Sequence, residues 1–217
     1  MDKICVFDLD GTLLNTLDSI AYYVNKALEK NGYGSVPTEK IRQFIGHGAR
    51  NLVTRALEYT GAENPDIDRI LAEYVELYNS DATYLVNPYE GITEMFAALK
   101  NAGVSMAVLS NKPHSSTADI IETVFGTDYF YKCEGQREGV PIKPDPTSTL
   151  EIIKGFDKRG CYYIGDSPSD VKTAQNAGVH SIAVTWGFRS KEELSAAQPE
   201  FIAEKPSDIT DIVLNIS

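Results

Sequence analysis

The sequence predicts an α/β protein built on a parallel sheet with helices on both faces, with a smaller all-α unit inserted after the first strand. Two observations carry the sheet. Apolar runs of strand length recur at residues 4–9, 104–109, 161–164 and 181–185. Helical stripes separate them, and continuous apolar strands alternating with helices are the pattern of a parallel sheet covered on both sides. A third observation carries the insertion: the stretch from residue 16 to residue 85 holds helical periodicity and no convincing strand.

Taken in order, Ile4-Cys5-Val6-Phe7 begins the first strand, which leads into Asp8-Leu9-Asp10-Gly11-Thr12. In the following stretch Ile20, Tyr23, Val24, Ala27 and Leu28 fall on one helical face. Ile67, Ile70, Leu71, Tyr74, Val75 and Tyr78 fall on another. The chain returns to the sheet near Asn87-Pro88-Tyr89-Glu90-Gly91. Ile92, Met95, Phe96 and Leu99 then form a helical stripe, as do Ile120, Ile121 and Val124, and at the end of the chain Ile209, Ile212, Val213 and Ile216. The expected organisation is a core of residues 1–15 and 86–217 with a helical cap of residues 16–85. In such sheets ligands bind at the carboxyl ends of the strands. An insertion after the first strand sits above that edge, where a lid belongs.

A chain of 217 residues suits one domain with a small appendage. Its net charge of -11 argues against a nucleic-acid groove or an anionic membrane surface, both of which reward clustered Lys and Arg. No apolar run approaches the length of a membrane span. Only Met1-Asp2-Lys3 precedes the first strand, so no signal peptide is expected. Cys5, Cys133 and Cys161 have no metal-ligand spacing and read as free thiols, Cys5 and Cys161 buried in strands. A cytoplasmic protein, monomer or homodimer, is the expectation. The tyrosines at 22, 23, 59, 74 and 78 fit either a cap core or a dimer surface.

Four polar clusters border the strand runs and would converge in a parallel sheet. Asp8 and Asp10, two residues apart at a strand end, point the same way by the period of a strand. Gathering like charges there is costly unless a divalent cation neutralises them. Ser110-Asn111 follows the second run and reads either as donors to a phosphate oxygen or as a turn before the helix that starts near His114. In Lys143-Pro144 the proline biases Lys143 towards an extended backbone, and Asp145-Pro146 reads as an N-cap and first helical residue. In Gly165-Asp166-Ser167-Pro168-Ser169-Asp170, Ser167 suits an N-cap, Pro168 the first helical position and Asp170 a capping box. Asp166 and Asp170 also suit joint support of a metal ion.

Together Asp8-Leu9-Asp10-Gly11-Thr12-Leu13, Ser110-Asn111, Lys143-Pro144 and Asp166 with Asp170 resemble the four motifs of the haloacid dehalogenase-like superfamily, in its order and across nearly the whole chain. Gly46-His47-Gly48, Tyr89-Glu90-Gly91, Lys112-Pro113, the run from Ala174 to Gly178 and Thr185-Trp186-Gly187-Phe188 make the chain similar to the phosphoglycolate phosphatase-like branch. The resemblance implies a Rossmann-like core and a helical cap. It implies Asp8 as nucleophile, forming an aspartyl-phosphate, and Asp10 as general acid and base. It implies Mg²⁺ held by Asp8, Asp10 through its carbonyl, and Asp166, with Asp170 in direct or water-mediated support. Lys143, Ser110 and Asn111 would bind the phosphoryl group. The substrate implied is a small phosphorylated metabolite.

His47, Arg50 and Lys112 are candidates for substrate recognition; the alternatives are a loop residue, a salt-bridged helix residue and an exposed lysine. Pyrophosphate hydrolysis and a β-phosphoglucomutase-type transfer remain open on the same core. A phospho-accepting switch or phospho-ligand-binding module is the reading from another class. A dehalogenase is disfavoured by Asp10, and a dinucleotide-binding domain by the missing glycine-rich turn after the first strand.

Overall fold

The first strand, β1 (Ile4–Phe7), shows how the core is divided. Ile4 and Val6 pack into one apolar cluster and Cys5 and Phe7 into another, because successive side chains leave a strand on opposite faces. The computed structural model describes residues 2–126 and 128–215; Met1, Ile216 and with it the end of the last helical stripe lie outside them. β2 (Leu14–Asn15) follows, then α1 (Leu17–Lys30), α2 (Thr38–Phe44), α3 (Gly48–Thr60) and α4 (Ile67–Ser80). β3 (Asn87–Pro88) pairs antiparallel with β2, so the outgoing and returning connections are stitched together. The rest of the chain alternates: α5 (Ile92–Asn101), β4 (Ser105–Pro113), α6 (His114–Phe125), β5 (Lys132–Gln136), α7 (Thr147–Ile152), β6 (Cys161–Gly165), α8 (Pro168–Ala177), β7 (His180–Val184), α9 (Lys191–Ala196), β8 (Phe201–Ala203) and α10 (Pro206–Asn215).

Among the described residues, six strands form one sheet in the order β5-β4-β1-β6-β7-β8, every neighbouring pair parallel. α5, α6 and α10 cover one face through Phe96, Ile120 and Ile209, while Ile152 and Ala174 of α7 and α8 cover the other. β1 lies at the centre, flanked by β4 and β6, so its carboxyl end is where the loops after three strands meet.

α1 to α4 bury a separate apolar cluster that includes Ile20, Val24, Leu28, Leu57, Ile70 and Tyr74. Of the tyrosines, Tyr23, Tyr74 and Tyr78 are buried in it, Tyr22 packs against it, and Tyr59 is exposed. Phe188, from the loop after β7, inserts into this cluster and fastens the helical unit to the sheet. The strands expected at residues 4–9 and 104–109 differ in extent from β1 and β4. β1 stops at Phe7 because the chain turns, and β4 runs on to Pro113 beside β5. The edge strands β5 and β8 do not stand out in sequence: β5 reads Lys-Cys-Glu-Gly-Gln, and β8, though apolar, is only 3 residues long.

Candidate active site

Past the end of β1 the Asp8 N–H still donates to the Ile164 carbonyl at 2.8 Å, holding Asp8 at the edge of the sheet. The chain then turns: the N–H groups of Leu13 and Leu14 both donate to the Leu9 carbonyl at 3.1 Å. Gly11, at φ +88°, makes this turn, and a Cβ there would lie 2.3 Å from Asp166 Oδ2. Only glycine satisfies both the left-handed backbone and the close approach. The placement of Asp8 and Asp10 on one side therefore comes from a turn; the expected strand period does not extend that far.

The two carboxylates have separate partners. Lys143 Nζ stands 2.7 Å from Asp8 Oδ1 and 2.8 Å from Asp170 Oδ1. Asn111 fixes this lysine's backbone, accepting from the Lys143 N–H at 2.9 Å and donating to its carbonyl at 3.1 Å. The second amide hydrogen of Asn111 goes to the Gly46 carbonyl at 2.9 Å, in the connection between α2 and α3. Both donors of that amide are thus used. The Asn111 side chain therefore positions Lys143, and what Asn111 can still offer a phosphoryl group is its backbone. Ser110 is buried, and its oxygen accepts from the Lys112 N–H at 3.1 Å, leaving its own O–H to donate.

Asp10 accepts from Lys112 Nζ at 3.1 and 3.3 Å and from the Thr16 hydroxyl at 2.8 Å. Lys112 is buried, its ammonium 4.3 Å from the centre of the Tyr78 ring. Burial opposes the ammonium, but Asp10, Tyr78 and Tyr74 outweigh it and hold its pKa well above the ordinary range. Lys112 therefore serves Asp10. Neither a free surface lysine nor one extended towards a substrate carboxylate describes it.

Asp166 and Asp170 close the site from β6 and α8. Asp166 Oδ2 accepts from the Phe188 N–H at 2.6 Å. Asp170 completes the predicted capping box: Ser167 Oγ accepts from its N–H, and its Oδ2 accepts from the Ser167 N–H at 3.1 Å. Its Oδ1 takes Lys143, so both oxygens have partners. Asp145 behaves differently from expectation: α7 begins one residue later, at Thr147, whose N–H donates to Asp145 Oδ1 at 2.9 Å.

Asp8, Asp166 and Asp170 each offer an oxygen, these atoms lie within 4.8 Å of one another, and all three residues are buried. At that separation each pair of negative charges repels by about 3 kcal/mol at an effective dielectric constant near 20. Burial first and Asp170 second push the Asp8 carboxyl well above its usual range, with Lys143 working against them. The same two causes push Asp166 up to about 7. Burial works against the Lys143 ammonium too, yet Asp170 and Asp8 hold its pKa far above normal. One lysine thus faces three acids. The cluster fits a hard divalent cation, for which carboxylate oxygens are the preferred donors.

These groups line a cavity of about 60 Å³ between the sheet and the helical unit. Asp8, Asp10, Ser110, Asn111, Lys112, Lys143 and Asp166 form its floor, and Ile20, Ile45, Gly46, Leu52 and Tyr74 its roof. His47 and Arg50 do not line it: both are exposed, and Arg50 pairs with Asp68 across the surface.

Residues 5–184 match the haloacid dehalogenase-like hydrolase family. The chain belongs to that family. Within it, this hydrolase is 31% identical to a phosphoglycolate phosphatase of Vibrio vulnificus, over 98% of this chain and 96% of that protein. It is 32% identical to phosphoglycolate phosphatase 1 of Pseudomonas aeruginosa, over 96% of this chain and 79% of that one. A crystal structure of a protein from Lactobacillus delbrueckii subsp. bulgaricus superposes with a TM-score of 0.92 at 30% identity, covering 99% of this chain and 100% of that one. The hydrolase is therefore an enzyme of the phosphoglycolate phosphatase-like branch.

Three parts of the site escape sequence reasoning. Thr16 stands at the N-cap position of α1 but caps no helical N–H with its side chain; its hydroxyl serves Asp10. The Phe188 N–H that holds Asp166 belongs to the backbone and leaves no trace in residue type. Arg189 lines the cavity from a loop with no motif of its own.

Proposed function

We propose that this enzyme hydrolyses a small anionic phosphomonoester, with 2-phosphoglycolate the leading candidate, through an aspartyl-phosphate on Asp8. One observation carries the reading: two carboxylates two residues apart share a cavity but have different partners, Asp8 the Lys143 ammonium and Asp10 Lys112 with Thr16. Sites that divide labour between two acids separate them in this way. Asp8 attacks phosphorus in line, and the phosphoryl oxygens are met by Lys143 and the Ser110 hydroxyl. Asp10 protonates the departing alkoxide, then removes a proton from the water that opens the acyl phosphate. Asn111 keeps Lys143 in register by gripping its backbone.

Asp8 and Asp166, with the Asp10 carbonyl, would hold the divalent cation, Mg²⁺ in this reading; Asp170 supports them through Lys143 and through the start of α8. When bound, the cation neutralises the acid cluster and polarises the phosphoryl oxygens. A cavity of about 60 Å³ supports a substrate of a few heavy atoms beyond the phosphoryl group. In this reading residues 16–85 are the cap that shuts water out. Cys5, Cys133 and Cys161 are all free thiols, which fits a reducing cytoplasm, and among the described residues no helix is long and apolar enough to cross a membrane.

The test is phosphate release, with and without Mg²⁺, from 2-phosphoglycolate, pyrophosphate, sugar phosphates and nucleotides. Mg²⁺-dependent release led by 2-phosphoglycolate supports the reading. A lead by pyrophosphate or a sugar phosphate keeps the chemistry and changes the substrate, and a phosphorylated protein that persists for hours replaces it with a phospho-switch.

A further inference from the structure

Among the described residues, Lys112, Lys143 and Arg189 are the cations that line the cavity. The two lysines are committed to acids, Lys143 to Asp8 and Asp170, Lys112 to Asp10. Among the described residues Arg189 forms no salt bridge; its charge acts on Asp166 only at a distance, helping to hold that carboxyl down. Its Nη1 donates to the Arg42 carbonyl at 2.9 Å and its Nη2 to the Ile45 carbonyl at 2.7 Å, both at the end of α2. A guanidinium has five N–H donors, so three are left for another acceptor. The fork is rigidly mounted, because the preceding residue, Phe188, is buried in the helical unit's core and its N–H is held by Asp166. A half-buried guanidinium that is fixed, forms no salt bridge and lines a reaction cavity is suited to bidentate recognition of a carboxylate or a phosphoryl group.

We infer that Arg189 is a specificity-determining residue that binds a second anionic group of the substrate, a carboxylate or a second phosphoryl group, next to the phosphoryl group held by Lys143. The inference rests on the phosphomonoesterase reading and deepens it. It replaces His47 and Arg50, which face solvent, and Lys112, which is occupied by Asp10, as the reader of substrate charge. Arg42 provides the contrast. It lies on the other side of the same fastening, donating from Nε to the Phe188 carbonyl at 2.8 Å and from Nη2 to the Gly187 carbonyl at 3.2 Å, and it does not line the cavity.

The experiment measures kcat/KM of the full chain with Mg²⁺ on 2-phosphoglycolate, on pyrophosphate and on 2-hydroxyethyl phosphate, which replaces the carboxylate by a neutral group of similar size. Wild type tests the parent reading by itself, since turnover of any of the three shows the phosphatase chemistry to be present. Arg189→Gln is expected to lower kcat/KM on the preferred substrate with two anionic groups by about 10- to 100-fold, mainly through KM, as befits a lost charge-assisted hydrogen bond. 2-Hydroxyethyl phosphate, which has only its phosphoryl group charged, should change less than about threefold. Which of 2-phosphoglycolate and pyrophosphate suffers identifies the anion as carboxylate or phosphoryl. Arg189→Lys, which keeps the charge without the fork, should recover part of the preference. Arg42→Gln, which loosens the same fastening, should lower all three substrates by one common factor. An equal loss on all substrates in Arg189→Gln, or no loss on any, overturns the inference and leaves Arg189 a fastener. If wild type turns over none of the three, the parent reading fails, and the same comparison is made as calorimetric Kd values on Asp8→Asn. There a Kd for 2-phosphoglycolate that Arg189→Gln does not weaken overturns the inference independently.

Discussion

At the scale of single residues, the site is a set of buried charges each fixed by a named partner. Asp8→Asn should abolish turnover, since an amide is a poor nucleophile, while the thermal midpoint stays within a few degrees of wild type; full retained activity would end the assignment. Lys143→Ala should cost on the order of 10²-fold or more in kcat, by analogy with the loss of a preorganised donor to a developing charge. An unchanged rate would remove Lys143 from the site. The thiols give a pH test with a definite sign. Burial pushes Cys133 and Cys161 up to about 11. At pH 8 that leaves about one thiolate in 10³, against roughly one in four for an unperturbed thiol near 8.5. Native protein at pH 8 should therefore label with a thiol reagent far more slowly than denatured protein, the rate rising as pH approaches 11; equal rates would contradict the burial of these cysteines. Asp8, Asp10 and Asp166 were readable from residue type and spacing, and Lys143 through the resemblance to the family's motifs. Thr16 was not, because a threonine before a helix carries the same signal whether it caps the backbone or serves a carboxylate.

At the scale of elements, the fit between α8 and the loops around it decides where the acids sit. Ser167 caps α8 and in doing so fixes Asp170, which in turn holds Lys143. Ser167→Ala should cost about 1 kcal/mol of stability from the lost cap, and should also lower kcat, because Asp170 loses a constraint. Urea unfolding together with steady-state rates separates the two effects, and a stability loss with an unchanged rate would show that Asp170 is fixed by Lys143 alone. The loop after β7 is as tightly determined: a Cβ on Gly187 would lie 2.3 Å from the Cβ of Asp166 and 2.4 Å from the Gly11 carbonyl oxygen, so nothing larger than glycine fits unless the backbone shifts. Sequence patterns located α1, α4, α5, α6 and α10, whose buried faces follow the helical period, and capping residues located the start of α8. They missed β5 and β8 because edge strands bury fewer side chains and so carry less pattern.

At the scale of the whole molecule, the apolar clusters on the two faces of the sheet and the one in the helical unit are joined across a cavity lined with acids. A cation that binds there stabilises the folded chain by mass action, by about 2.7 kcal/mol at a hundred times its Kd. For a chain of this size that corresponds to a rise of roughly 5–10 °C in thermal midpoint. Adding Mg²⁺ to chelator-treated protein should produce such a rise, and Asp166→Asn should remove most of it; an equal rise in the variant would place the cation elsewhere. Beside the apolar insertion of Phe188, polar contacts to backbone carbonyls join the two units: Asn111 to Gly46, Arg42 to Phe188 and Gly187, Arg189 to Arg42 and Ile45.

The α/β class, the inserted helices and the paired acids were legible along the chain, because period, turn chemistry and residue type are local properties; Lys143 was legible only as part of the four-motif resemblance. Tertiary structure alone decided who partners whom. Lys112 went to Asp10, Asn111 to the backbone of Lys143, and Arg189 to the cavity wall while Arg50 turned to the surface. The physical reason is that a long polar side chain's partner depends on which distant elements the fold brings within hydrogen-bond reach, and no spacing along the chain encodes that distance.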